Sequence, residues 1–170
     1  MNTKLLGFSL LGFFLILAIL IINIASKFNN SEKDNKFLNI PAVSLNWGEE
    51  KFQLPTDLHK EKNTIITFLS TECTYCKYQA MDIANNIKKL SELNNIIIIQ
   101  GNEDTGRLFC LENGLEEDCS TLIFFINEEE FQENFGELKF PTTLIYNEKQ
   151  QLIKMVKGES KVDNLLSYYI

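Results

Sequence analysis

Two cysteines in the stretch "FLSTECTYCKYQAMDI" (68–83) are the residues with the best spacing for chemistry. Cys73 and Cys76 are separated by two residues, a spacing found in redox pairs and in halves of metal sites. The alternative is that they are two buried thiols with no chemistry. The elements that position the pair decide between these interpretations.

An apolar run precedes the pair and a helical pattern follows it. "NTIITFLS" (63–70) is rich in β-branched residues and predicts a buried strand. Apolar residues then recur at helical spacing at Cys76, Ala80, Ile83, Ile87 and Leu90. The spacing predicts an amphipathic helix that begins within a residue or two of Cys73.

A helix start favours reactivity in a thiol at that position. The first turn leaves backbone N–H groups unpaired and carries a partial positive charge, and both stabilise a thiolate. Cys73 would occupy this place. Cys76 would lie one turn further along, close enough to resolve a mixed disulfide formed by Cys73.

The rest of the chain predicts a mixed sheet covered by helices on both faces. "AVSLNWGEEKFQLP" predicts an N-terminal hairpin, and further strands are predicted at 95–100, 121–126, 142–147 and 151–157. A short helix is expected to end near Gly114, and Asn127 is expected to cap another. "SKVDNLLSYY" predicts a closing helix, with Ser160 and Asp163 in the spacing of a capping box.

The N-terminal segment predicts a membrane anchor. Residues 5–26 carry no charge, and a helix of that length reaches roughly 33 Å, enough to cross a bilayer. The alternative, a cleaved signal peptide, lacks a good cleavage site. We therefore expect a single-pass anchor over 1–26, with residues 5–25 in the lipid, a polar linker over 27–36 and one domain over 37–170. A short tail before the anchor places this domain outside the cytoplasm, in the periplasm or on the outer face.

The charge of the chain and the spacing of its possible metal ligands argue against a nucleic-acid-binding protein and against a metal site. The net charge is −7, and no basic cluster with interleaved aromatic residues is present, so no nucleic-acid partner is expected. Cys110 and Cys119 lack the spacing of a zinc knuckle, and the single histidine, His59, lies far away in sequence. We expect no metal and no cofactor.

With these features the sequence resembles the thioredoxin superfamily, and within it the membrane-tethered extracytoplasmic oxidoreductases of the thioredoxin-like protein A and cytochrome c maturation type. The resemblance covers roughly residues 40–170. It depends on "NWGEEKFQL", on "TIITFLS" leading into "CTYC", and on "KFPTTLIYNEKQQLIKMVKG". It implies a thioredoxin-like α/β fold with an N-terminal hairpin extension.

The resemblance also implies roles for individual residues. Cys73 would be the nucleophile, Cys76 the resolving thiol, and Pro141 the cis-proline of the family. Phe140 and Pro141 would form the edge on which a substrate docks. The implied partners are a disulfide-containing substrate protein and a membrane thiol or electron donor, so the implied activity is reduction or exchange of disulfides in extracytoplasmic proteins.

Three positions depart from the family pattern. Glu72 precedes the first cysteine, where many relatives have an aromatic residue. Thr67 stands where thioredoxins have a buried aspartate, and Gln79 where several tethered relatives have a glutamate. Both carboxylates that would carry a proton to or from Cys76 are therefore replaced.

Two alternatives and one structural bridge remain open. Ser70 lies three residues before Cys73, as in a peroxiredoxin-like thiol peroxidase, but Ile66 stands where that motif has proline. A non-catalytic binding module of the same fold is compatible with the missing carboxylates. We also expect a structural disulfide between Cys110 and Cys119, which would close a loop worth roughly 2–3 kcal/mol; the alternative is that Cys110 is part of the core.

Overall fold

The computed structural model describes residues 16–19, 21, 36–47, 50–115 and 121–169. The chain divides into two compact units, Met1–Leu38 and Asn39–Ile170. In the first unit, residues 16–19 and 21 are helical; most of the predicted anchor 5–26 and of the linker 27–36 lies outside the described residues. Across the described ranges, no helix is both long and apolar enough for a membrane span.

The second unit contains a two-stranded and a five-stranded sheet. The strands in the described residues are β1 (Val43–Trp47), β2 (Glu50–Leu54), β3 (Thr64–Ser70), β4 (Asn94–Gln100), β5 (Thr121–Ile126), β6 (Thr142–Tyr146) and β7 (Leu152–Lys157). β1 and β2 pair as an antiparallel hairpin. The larger sheet has the order β5-β4-β3-β6-β7. β3, β4 and β5 are parallel, while β6 and β7 run antiparallel to their neighbours.

Helices connect the strands of the larger sheet, and one more helix follows its last strand. They are α1 (Thr74–Asn85), α2 (Ile87–Leu90), α3 (Glu103–Asn113), α4 (Glu128–Phe135) and α5 (Val162–Leu166), followed by a 3-10 turn (Ser167–Tyr169). Since β3, β4 and β5 are parallel, α1, α3 and α4 all begin at the same edge of the sheet.

Alternate residues of the central strands face two different layers. On one face, Ile65, Leu69 and Ile97 share a core with residues of α1, α3 and α5. On the other face, the Phe68 ring lies 4.9 Å from Phe135 of α4, and the hairpin packs Phe52 against Phe124 at 5.4 Å. The prediction of a mixed sheet with helices on both faces and an N-terminal hairpin is confirmed.

The helix after Cys73 differs from the predicted one because it breaks at Asn86. The backbone of this residue leaves the helical region, at φ −120° and ψ 17°, and its side-chain amide donates to the Asp82 carbonyl oxygen at 2.9 Å. Asparagine competes with the helix by such local bonds. Ile87 and Leu90 therefore lie on a separate helix, α2.

The predicted capping box at the closing helix is wrong. α5 begins at Val162, its N-cap is Lys161, and no side chain of the cap residue accepts a hydrogen bond there. Ser160 Oγ instead accepts from the Asn164 side-chain amide at 2.8 Å. The Val162 N–H donates to the Asp82 carboxylate at 2.7 Å, so α1 satisfies the first turn of α5 across the fold.

Candidate active site

Cys73 is the N-cap of α1. Its backbone is extended, at φ −99° and ψ 116°, and its N–H donates to the Ser70 carbonyl oxygen at 3.2 Å in the turn that follows β3. Its Sγ accepts a hydrogen bond from the Cys76 N–H at 3.3 Å. The sulfur therefore takes the place that a serine or asparagine oxygen takes in an ordinary cap, where a negative charge is stabilised. Cys73 is half-buried, so this sulfur is partly open to solvent.

Cys76 is fully buried, one turn into α1. Its Sγ accepts a hydrogen bond from the Ser70 N–H at 3.4 Å. Burial, followed by the hydrogen bond with the Cys73 side chain, raises the pKa of the Cys76 thiol far above its ordinary value, and the Ser70 amide only partly offsets this. Cys76 is therefore a protonated thiol at neutral pH in the reduced protein.

The loop before β6 brings a carbonyl oxygen to the first sulfur. The Cys73 thiol donates to the Phe140 carbonyl oxygen at 3.6 Å, although the residues are 67 positions apart. The Phe140–Pro141 peptide bond is cis. The Phe140 ring packs against Phe131 of α4, with 5.1 Å between ring centroids, which fixes the loop from the side opposite α1.

At the two positions where the family pattern has a carboxylate, this chain has buried, neutral side chains. Thr67 Oγ1 lies 3.4 Å from Thr143 Oγ1 on the neighbouring strand. Gln79 Oε1 accepts from the Ser160 N–H at 2.8 Å, and its Nε2 has no hydrogen-bond partner among the described residues. Neither position supplies a group that could take the proton of Cys76.

The surface beside the cysteines carries Glu72 and two tyrosines, of which sequence analysis missed the tyrosines. Tyr75, between the two cysteines, is 64% exposed, and Tyr78 is 50% exposed one turn later. Glu72 is exposed, and its N–H donates to the Ser70 hydroxyl at 3.4 Å. The signal for the tyrosines was present in the sequence, since they occupy α1 positions outside the apolar stripe defined by Cys76, Ala80 and Ile83.

Of the remaining predicted residues, Ser70 lies beside both cysteines, which its backbone N–H and carbonyl oxygen contact. Cys110 is buried on α3 in the core that also contains Cys76, and Cys119 lies outside the described residues, so their bridge stays a prediction. Ser70 uses its hydroxyl as an acceptor for Glu72. In the parts of the chain that the structure describes, no three His, Cys, Asp or Glu side chains are grouped so that they could hold a metal ion.

Comparisons with known proteins identify the fold. No family model and no curated protein sequence matches the chain. Among solved structures, it is similar to StoA from Bacillus subtilis, with 17% identity and a TM-score of 0.57 over 78% of this chain and 95% of that one. A secreted Mycobacterium tuberculosis disulfide oxidoreductase matches at 14% identity and a TM-score of 0.58, covering 78% and 96%.

A third structure extends the similarity to another organism. A putative thiol:disulfide interchange protein DsbE from Chlorobium tepidum matches at 12% identity and a TM-score of 0.61, covering 77% of this chain and 92% of that one. At these identities the similarity establishes the fold. The thioredoxin-like fold that the sequence predicted is confirmed.

Proposed function

We propose that the chain is a membrane-tethered thiol–disulfide oxidoreductase that reduces or exchanges disulfides of extracytoplasmic proteins. The observation that carries this proposal is the arrangement of the two sulfurs. The half-buried Cys73 caps α1 with a sulfur that contacts the Phe140 carbonyl oxygen, and Cys76 is fully buried one turn further into the helix. The structural neighbours named as disulfide oxidoreductases support the same activity.

The reaction has two steps. The Cys73 thiolate attacks one sulfur of a substrate disulfide, a mixed disulfide forms, and the first substrate sulfur leaves and takes up a proton. Cys76 then loses its proton and attacks the Cys73 sulfur, which releases the second substrate thiol and leaves a Cys73–Cys76 disulfide. Two electrons pass to the substrate, and a membrane dithiol donor restores the pair.

Phe140 and Pro141 are proposed as the docking edge. A carbonyl oxygen beside the reactive sulfur can accept a hydrogen bond from the backbone of an extended substrate segment. Phe140 is half-buried and Tyr75, between the two cysteines, is exposed, so both are available for apolar contact with a docked substrate.

Trapping of the mixed disulfide tests the roles of the two cysteines. In Cys76→Ser the second step is blocked, so we expect a stable mixed disulfide between Cys73 and a substrate protein. Cys73→Ser is the matched control and should trap nothing. Equal trapping by both variants, or trapping by Cys73→Ser alone, would reject the assignment.

The tether is proposed from residues 5–26. Membrane-impermeant maleimide applied to intact, reduced cells should label the domain without lysis. Labelling that requires lysis would place the domain in the cytoplasm and remove the extracytoplasmic substrate from the proposal.

A binding module without turnover is the second candidate. The neutral side chains at Thr67 and Gln79 favour it, because nothing there accepts the proton that Cys76 must lose. Reduction of a protein disulfide by the wild-type chain at a rate above that of free dithiol would exclude this candidate.

A further inference from the structure

Two side chains of α1 hold the segment that leads from β7 into α5. Gln79 Oε1 accepts from the Ser160 N–H at 2.8 Å, and Asp82 Oδ2 accepts from the Val162 N–H at 2.7 Å. We call these four residues the clamp. Gln79 is fully buried and lies one turn after Cys76, so the clamp begins on the helix that carries both cysteines.

The clamped segment in turn holds the loop opposite Cys73. The Gly158 N–H donates to the Pro141 carbonyl oxygen at 2.8 Å. Gly158 has φ +97°, a conformation that a residue with a side chain rarely adopts. Three hydrogen bonds therefore connect α1 to the loop: Gln79 to Ser160, Gly158 to Pro141, and Phe140 to Cys73. Short stretches of chain join Ser160 to Gly158 and Pro141 to Phe140.

Packing alone does not account for a glutamine at position 79. The position lies on the apolar face of α1, beside Ala80 and Ile83, and Gln79 Nε2 is buried without a partner among the described residues. A buried donor that lacks a partner destabilises the fold, and an apolar side chain of similar size would avoid this cost. Glutamine differs from such an apolar side chain in its hydrogen bond to the Ser160 N–H. That bond fixes the geometry of the segment that supports Pro141.

We propose that Gln79 is a positioning residue that, with Asp82, keeps the Phe140 carbonyl oxygen at the distance from Cys73 that a protein substrate requires. The inference rests on the proposed function, because docking matters only where Cys73 exchanges with a protein disulfide. Small misplacements of a docking group reduce productive binding strongly. A small disulfide needs no docking edge, so its reaction with Cys73 is independent of the clamp.

The test compares three variants of the full-length chain purified in detergent. Gln79→Met keeps the size of the side chain and removes the acceptor. Gln79→Glu keeps an acceptor oxygen and serves as the rescue. Asn95→Leu is the matched control. Asn95 is also buried, donates one hydrogen bond to Thr121 at 3.0 Å, and has an Oδ1 without a partner in the described parts of the chain, but it lies at the opposite end of the sheet.

Two readouts separate positioning from stability. For Gln79→Met we expect amide hydrogen exchange at Gly158 to become about tenfold faster relative to the amides of β4. We also expect KM for a protein disulfide to rise roughly five- to tenfold, with kcat and the rate toward oxidised glutathione within about twofold of wild type. Gln79→Glu should restore wild-type exchange at Gly158 and wild-type KM; its kcat is not used as a control, because a carboxylate at this position can carry the Cys76 proton. Asn95→Leu should change neither readout.

Each other outcome rejects a defined part of the account. A wild-type chain that reduces no disulfide rejects the proposed function, while exchange at Gly158 still reports on the clamp. An active wild type with unchanged KM in Gln79→Met rejects the positioning role alone. The positioning role also fails if Gln79→Glu behaves like Gln79→Met, or if Asn95→Leu reproduces the rise in KM.

Discussion

Three helices begin at the same edge of the sheet. Their N-cap residues differ in the atom that accepts the capping hydrogen bond, which is an oxygen in two of them and a sulfur in the third. Asn102 Oδ1 caps α3 by accepting from the Thr105 N–H at 2.9 Å, and Asn127 Oδ1 caps α4 in the same way at 2.9 Å. Cys73 Sγ caps α1 by accepting from the N–H three residues on, at 3.3 Å. All three cap residues have an extended backbone, which holds an inert amide oxygen at two positions and a thiol at the third.

The first turns of these helices also differ in charge. α3 begins with Glu103 and Asp104, and α4 with Glu128, Glu129 and Glu130, whereas α1 has no acidic residue in its first turn. Carboxylates near a helix N-terminus stabilise it by compensating its partial positive charge. At α1 no carboxylate of the first turn compensates this partial positive charge, so it remains available to stabilise a negative charge on the Cys73 sulfur. We therefore expect two of these helix starts to serve stability and the third to serve the reactivity proposed for Cys73.

The largest expected effect comes from exchanging the atom at the cap. Cys73→Ser keeps a good N-cap, so the free energy of unfolding should change by less than about 1 kcal/mol. Disulfide reduction should fall by at least about 100-fold, since the nucleophile is lost. Urea denaturation and an assay of protein disulfide reduction measure the two quantities.

The Asn127→Ala variant tests the opposite combination, in which stability is lost and activity is kept. It should cost about 0.5–2 kcal/mol of stability and leave activity within about twofold, after allowance for the folded fraction. A loss of stability in Cys73→Ser as large as that in Asn127→Ala would contradict the equivalence of the caps.

The pH dependence of stability tests the burial of the Cys76 thiol. The pKa of Cys76 is raised in the folded protein, so the neutral thiol stabilises the fold fully below the ordinary value near 9. Above that pH the unfolded chain releases the proton first, and the free energy of unfolding should fall with a limiting slope of about 1.4 kcal/mol per pH unit.

The measurement is urea denaturation of the reduced protein between about pH 8 and 9.5, below the pH at which tyrosines of the unfolded chain are half ionised. Burial also raises the pKa of Tyr146 and of Tyr169, from an ordinary value of 10. Cys76→Ala should flatten the slope. An unchanged slope in this variant would mean that Cys76 does not titrate as a buried thiol.

The smallest expected effect comes from giving α1 the acidic turn that α3 and α4 have. Thr74→Glu should slow the reaction of Cys73 with iodoacetamide roughly two- to fivefold at neutral pH and low salt, as a first-turn charge is worth about 0.3–1 kcal/mol. Added salt should reduce the difference. Glu128→Gln, at the start of α4, is the control and should leave the rate unchanged.

Sequence analysis predicted what depends on local pattern. The strand before Cys73, the start of α1 and the cap at Asn127 follow from periodicity and capping over a few residues. The contact between Cys73 and Phe140 joins residues 67 positions apart, and only the family resemblance pointed to that loop. The bond between Gln79 and Ser160 spans 81 positions, and no periodic pattern encodes it.

The two errors have the same physical cause. At α5, the Asp82 carboxylate reaches the first N–H of the helix, so a tertiary contact replaced the local capping box. At Asn86, a side-chain bond to the backbone ended the helix while the apolar spacing continued into α2. In both places a hydrogen bond of a polar side chain determined the backbone structure, whereas the prediction depended on apolar spacing and local capping motifs alone.

The reduction potential of the Cys73–Cys76 pair tests the central claim most directly. A strong oxidant needs a deeply stabilised thiolate at its first cysteine. Here Thr74 and Tyr75, the residues between the cysteines, offer no cation, and Glu72 adds a negative charge beside them. Equilibration of the full-length chain against glutathione buffers, with Cys110 and Cys119 intact, should give a midpoint nearer to about −270 mV than to about −120 mV. A midpoint more positive than about −180 mV would contradict the account and make the protein an oxidase or an isomerase.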